Sequence, residues 1–289
     1  MSSYERISPT AWLTAYQRTL SNIPLAAEIF QELEEIVSRT RTDPEIEILK
    51  AMKSPKMAVM WEARYKIINH LLQKYPIDQF FEIAAGFSPR GLNMASAAHV
   101  TYVEVDLAGV IQEKRRIVES LVARAVIPAR PNFHLVEGNA LDLDDLISAA
   151  RFFADDKPVA VINEGLLPYL SHAERTTYAS AVHTILERFG GIWVTPDIDI
   201  RLLEPVSGQD RSAVKVRTEK IESLTGVDVL KNRFESEETA RAFFENLGFH
   251  VERRRFMEVA DDLVFPPQGS LAQKAIARGI VFVMRLGEV

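Results

Sequence analysis

The chain has 289 residues, of which 47% are hydrophobic and 26% charged, with a formal net charge of -6. That composition fits a globular protein with enough chain for one large α/β domain. Lys and Arg are scattered apart from Arg253, Arg254 and Arg255, which argues against a nucleic-acid backbone as partner, and the lack of cysteine excludes disulfides, thiolate metal sites and cysteine nucleophiles.

Residues 1–76 read as a helical region. "TAWLTAYQRTLSNI", "PLAAEIFQELEEIVSRT" and "AVMWEARYKIINHLLQKY" each space their apolar residues at helical intervals, and Pro76 ends the pattern. Strands and helices then alternate. "DQFFEIAA" is a predicted strand, with a helix from Arg90. "VTYVEVDL" is a strand followed by the long amphipathic segment "AGVIQEKRRIVESLVARA". "NFHLVEGNA" and "PVAVINEGLL" are further strands separated by the short helix "LDDLISAARFF". "SHAERTTYASAVHTILERF" is a helix capped by Ser171, and "GGIWVTPDIDI" is the fifth strand. Near the end, Ser236 caps the helix "SEETARAFFENLGF", and two closing strands follow with no crossover helix between them. This order predicts a doubly wound, mostly parallel α/β sheet with an antiparallel C-terminal strand and an N-terminal helical cap. The expected organisation is a single domain over 1–289: a cap over 1–76, a core over 77–200 and 235–289, and an insertion over 201–234.

In such a sheet the ligand binds at the carboxyl ends of the strands. The residues there are small, polar or acidic: Ala84, Ala85 and Gly86 after the first strand, and Glu104 and Asp106 at the end of the second. Gly138, Asn139 and Ala140 follow the third, Asn163, Glu164 and Gly165 the fourth, and Thr195, Asp197 and Asp199 the fifth. Asp106 lies about 20 residues beyond the small-residue turn, the spacing of a carboxylate that accepts from a ribose diol. Capping of the next helix is the competing reading, and the turn favours ribose. The turn has a single early glycine and no Lys-Ser/Thr pair for phosphates, and Glu82 and Glu164 would repel a polyphosphate. A cationic nucleoside without phosphate, such as S-adenosylmethionine, suits them. For Glu82 a structural carboxylate held by backbone N–H groups stays open.

Several stretches resemble the leucine carboxyl methyltransferase family, including its bacterial polyketide O-methyltransferase relatives. They are "TAWLTAYQRTLSNIP", "WEARYKIINHLL", "EIAAGFSPRGL", "YVEVDLAGVIQEKRRIV" and "INEGLLPYLS". The resemblance implies a class I methyltransferase with S-adenosylmethionine as cofactor. It implies Arg64, helped by Arg18, at the methionine carboxylate, and Ala84, Ala85 and Gly86 beneath the methionine. Asp106 would hold the ribose, Asn139 and Ala140 would flank adenine, and Glu164 would lie near the methionine or ribose.

The chain departs from the family's G-A-G-x-D-T-R turn. Ala84 replaces the first glycine, so the backbone there is expected to avoid positive φ, and Ser88-Pro89 replaces Asp-Thr. Asn139-Ala140 replaces Asp-Leu. The expected reaction is O-methylation of a small-molecule carboxylate or hydroxyl. A carboxylate needs no general base, and a phenol or enol would draw on His172, Tyr169 or Asp197. The insertion mixes Leu202, Leu203, Val206 and Val214 with Arg211, Lys215 and Arg217, either to line an acceptor pocket or as an amphipathic helix on the core. The competing functions are an NAD-dependent oxidoreductase and a non-catalytic S-adenosylmethionine-binding protein. The polar start and the lack of an apolar run near ~20 residues lead to the expectation of a cytoplasmic protein with a small-molecule acceptor and no membrane or nucleic-acid partner.

Overall fold

The computed structural model describes residues 9–40, 55–200, 227–264 and 276–287. Three helices open the described chain: α1 (Pro9–Thr19), α2 (Ala26–Thr40) and α3 (Pro55–Leu72). The α/β succession follows as β1 (Gln79–Ile83), α4 (Arg90–Met94), β2 (Thr101–Asp106), α5 (Ala108–Ala123), β3 (Phe133–Glu137), α6 (Leu143–Ala149), β4 (Val159–Ile162), α7 (His172–Phe189) and β5 (Gly191–Thr195). The last elements are α8 (Glu237–Glu245), β6 (Phe249–Arg255) and β7 (Ile280–Leu286).

The seven strands lie in the order β3-β2-β1-β4-β5-β7-β6. β1 to β5 are mutually parallel, and β7 runs antiparallel to both β5 and β6. The antiparallel strand expected at the C-terminus is therefore β7, inserted between β5 and the edge strand β6. Arg253, Arg254 and Arg255 lie on that edge, where charged side chains discourage pairing with another chain. The central strands bury every residue of β1 and β4, which is why they read as apolar runs and not as alternating ones.

Two apolar layers cover the sheet. One joins α7, α8 and Trp193 to the strands; the other joins α3 and the segment 256–263 to the opposite face. A third cluster seats α1 and α2 on α5, with Trp12, Ile29 and Leu33 against Phe87, Ile117 and Leu121. The N-terminal helices are thus anchored beside the turn after β1 and not on the far side of the sheet.

Local signals start three of the helices, those at Ser171 and Ser236 as expected. Ser171 and Glu174 form a reciprocal capping box on α7, and Ser236 with Thr239 does so on α8. Asp142 caps α6 by accepting from the amides of Asp144 and Asp145. Of the insertion read over 201–234, residues 201–226 lie outside the described residues, and so do Leu202, Leu203, Val206, Arg211, Val214, Lys215 and Arg217. Its described end is tied to the core, where Phe234 bridges Ile200 and donates its N–H to the Asp199 carbonyl at 2.9 Å.

Candidate active site at the strand carboxyl ends

The strand order reverses between β1 and β4, so the loops that follow them diverge and leave a crevice at their carboxyl ends. The turn after β1 forms one wall. The Ala84 N–H donates to the Val105 carbonyl at 2.8 Å, and the Gly86 N–H donates to Asp106 Oδ2 at 2.7 Å. Folding both amides back onto the end of β2 requires the left-handed region, and Ala84 has φ 56 and Gly86 φ 53. The expectation that Ala84 avoids positive φ is corrected here: the two hydrogen bonds to β2 hold an alanine where glycine is the easier residue.

Asp106 receives a second backbone donor, the Leu107 N–H at 2.8 Å. It does not cap α5, whose first turn takes no side-chain cap. Burial pushes its carboxyl up, against the pull of the Gly86 and Leu107 amides. Each oxygen accepts one bond from the chain, so each keeps acceptor capacity for a hydroxyl.

Opposite stands a buried array of charges. Arg90, which opens α4, is completely buried. It pairs with Glu82, reaches Glu164 at 2.9 Å and Asn69 at 2.9 Å, and lies over the Tyr65 ring at 4.6 Å. The Tyr102 hydroxyl donates to the other oxygen of Glu82 at 2.6 Å. Glu82 is therefore held by a guanidinium and a phenol. The backbone N–H partners expected for a structural carboxylate do not supply its bonds, and it is enclosed below the crevice surface.

Glu164 follows β4 and meets three guanidiniums: Arg90, Arg18 from α1 at 3.2 Å and Arg64 from α3 at 3.7 Å. Burial alone would raise its carboxyl, but Arg18, Arg90 and Arg64 outweigh it and hold the group at about 2. Arg64 also binds Asp197 and donates to the Pro196 carbonyl at 3.3 Å. The Nε atoms of Arg18 and Arg64 are buried and form no hydrogen bond, and Glu164 Oε1 accepts none.

Asp197 accepts from the amides of Gly165, Leu166 and Leu167 at 2.8 to 3.2 Å, from Asn163 Nδ2 at 2.8 Å and from Arg64. These bonds occupy its acceptor sites and clamp the loop after β4. Asn163 extends the clamp, with its Oδ1 accepting from Trp193 Nε1 at 2.7 Å.

The remaining candidates divide. Asn139 and Ala140 follow β3 next to Asp106. The Asn139 side chain accepts from the Leu141 N–H at 3.0 Å, and Ala140 packs partly buried on the core. His172 is exposed at the start of α7, edge-on to Phe243 of α8 at 5.1 Å, outside the charge array. Tyr169 is half-buried in the turn Leu167–Tyr169.

Sequence reasoning overlooked Arg90 as the hub. An arginine at the mouth of an apolar segment, with acids on two neighbouring strands and no surface to occupy, was the available signal. It also overlooked the buried pair of Glu104 and Lys114 beneath the turn, where Lys114 Nζ also donates to the Ser88 carbonyl at 2.8 Å. Their spacing, on β2 and on the helix after it, resembles that of any amphipathic segment.

The family model for leucine carboxyl methyltransferase matches residues 10–183. Among solved structures, a DUF574 family protein from Streptomyces avermitilis MA-4680 superposes with TM-score 0.55 at 15% identity, covering 86% of this chain and 92% of the other. A putative O-methyltransferase from Nostoc punctiforme PCC 73102 gives TM-score 0.47 at 16% identity over 94% and 72%. LepI in complex with S-adenosylmethionine gives TM-score 0.42 at 10% identity over 73% of this chain, which spans 43% of that protein. No curated protein matches the sequence. The first superposition supports the α/β fold, and the family match covers the helical region, the turn after β1, Asp106 and the loop after β4. This chain belongs to the leucine carboxyl methyltransferase family, a family of S-adenosylmethionine-dependent methyltransferases.

Proposed function

We propose that the protein methylates an oxygen of a small-molecule carboxylate or hydroxyl compound, using the crevice between the turn after β1 and the loop after β4. The observation that carries this reading is the pair of buried, unsatisfied Nε–H groups on Arg18 and Arg64 beside Glu164, facing the same strand ends as Asp106. A buried N–H without a partner is costly, and a ligand carboxylate would satisfy both.

The donor set suits the cofactor of the family. Arg64 and Arg18 would hold its carboxylate, and Glu164 would attract its ammonium. Ala84, Ala85 and Gly86 would offer small side chains to the methionine part, and Asp106 would accept from the ribose. Asn139 and Ala140 would flank the adenine. Glu82 supports from below by fixing Arg90. When bound, S-adenosylmethionine supplies a sulfonium methyl that passes to the acceptor oxygen as the carbon–sulfur bond breaks and S-adenosylhomocysteine remains. The chain's own part is to bind, orient and exclude water, since displacement at a methyl group gains most from alignment. A carboxylate acceptor gives up no proton, so this chemistry asks no general base of the site. On this reading 1–289 forms one domain with 1–76 as its cap, and no nucleic-acid or membrane partner is included. Among the described residues no helix is long and apolar enough to cross a membrane.

Two measurements test it. Calorimetry with S-adenosylhomocysteine and with NAD in parallel should show binding of the first only. A screen with methyl-labelled cofactor should place label on carboxylic acids or phenols; label on RNA or DNA, with none on small oxygen acceptors, would sink the acceptor class and leave the cofactor reading standing.

A further inference from the structure

Among the described residues, Arg175 is the one buried guanidinium that the site as described does not employ. It lies four residues into α7, where the helix dipole favours an anion over a cation. It is 5% exposed. Its Nε donates to the Leu167 carbonyl at 2.9 Å, and its guanidinium lies over the Phe234 ring at 4.7 Å. Arg18, Arg64 and Arg90 all have a carboxylate within ion-pair distance; Arg175 has none among the described residues. Asp199 and Asp197 act on it only at longer range, and burial pulls its pKa down.

Its position relates it to the crevice. The Leu167 N–H binds Asp197, the carboxylate that grips Arg64, while the Leu167 carbonyl binds Arg175. Leu167 therefore links the two arginines, one through Asp197 and the other directly. Phe234, under the guanidinium, is joined to Ile200 just beyond the carboxyl end of β5. A buried arginine without a counter-charge is unfavourable in the free protein. With Nε occupied by Leu167, the two terminal nitrogens form the planar fork that matches a carboxylate, above an aromatic face.

We propose that Arg175 is a specificity-determining residue that binds the carboxylate of an acidic acceptor, with Phe234 packing against the carbon skeleton beside it. This rests on the small-molecule methyltransferase reading and narrows it to organic acids.

The test uses the full-length protein saturated with S-adenosylhomocysteine, with benzoate and octanoate as probes and benzamide and octanamide as their uncharged counterparts. The acids should bind the wild type, and Arg175→Met should weaken them about tenfold or more while leaving S-adenosylhomocysteine affinity and the amides unchanged. Arg175→Lys should recover only part of the loss, because it lacks the fork. Equal binding of acids and amides, equal binding of acids by wild type and Arg175→Met, or no binding of either acid up to about 50 mM overturns the inference. If Arg175→Met does not fold, a crystal structure of the wild type grown with benzoate decides: benzoate on the Arg175 fork supports it, and benzoate elsewhere or absent overturns it. Failure of S-adenosylhomocysteine itself to bind would sink the underlying methyltransferase reading, whereas its binding without acid selectivity sinks only the role of Arg175.

Discussion

Glu164→Gln removes one negative charge from the centre of three guanidiniums and keeps the side chain's size. Glu164 lies 2.9 Å from Arg90, 3.2 Å from Arg18 and 3.7 Å from Arg64. Its carboxyl is held at about 2 against an ordinary 4.5, a displacement worth about 3 kcal/mol near neutral pH. The sign follows from the direction of that shift. A carboxyl depressed on folding contributes stability that is complete above its unfolded value and is lost as pH falls through its folded value. The window for Glu164 is therefore from 4.5 down to about 2. Removing one partner from a buried ionic group leaves the others uncompensated, so Glu164→Gln should cost about 3–5 kcal/mol near neutral pH. Near pH 3 the wild type has already given up about 2 kcal/mol of the contribution, and the gap between the proteins should shrink by that amount. Urea denaturation of both proteins at the two pH values measures this, because the other carboxylates titrate in both and cancel in the difference. A gap below about 1 kcal/mol near neutrality, or one that acidification leaves unchanged, would refute the view of Glu164 as the ionic centre of the site.

Asp106→Ala should weaken S-adenosylhomocysteine binding by roughly 1–3 kcal/mol in calorimetry, the cost of leaving ribose hydroxyls unpaired, and unchanged affinity would end that assignment. Ala84→Gly should stabilise the protein by about 0.5–1 kcal/mol, since glycine relieves the left-handed conformation at the expense of a more flexible unfolded chain; a lower melting temperature would contradict the geometry of the turn.

The succession of strands and helices was legible because it is written locally. Buried strands such as β1 and β4 are continuous apolar runs, Ser171 and Ser236 announce their helices, and Pro76 closes the helical region. The antiparallel β7 was legible because the sequence between the last two strands carries no convincing crossover-helix pattern. The positions of Asp106 and Glu164 at strand ends follow from the same pattern, as does the place of Arg64 on a helix that otherwise buries Tyr65 and Ala63.

Tertiary structure alone decided which charges meet. Glu82, Arg90 and Glu164 come from separate elements 8 and 74 residues apart, and nothing in their local sequence distinguishes an ion pair from a ligand contact. Asp197 reads as a free acid until the loop after β4 folds over it and its lone pairs are taken by three amides. Ala84 reads as a residue that excludes positive φ until two hydrogen bonds to the end of β2 impose it. Arg175 reads as one more polar residue on an amphipathic helix until packing buries it with no carboxylate at ion-pair distance among the described residues. Periodicity reports which side of an element faces the core, a property of neighbours along the chain. The pairing of buried charges depends on the distance between elements remote in sequence, and only the assembled sheet and its cap set that distance.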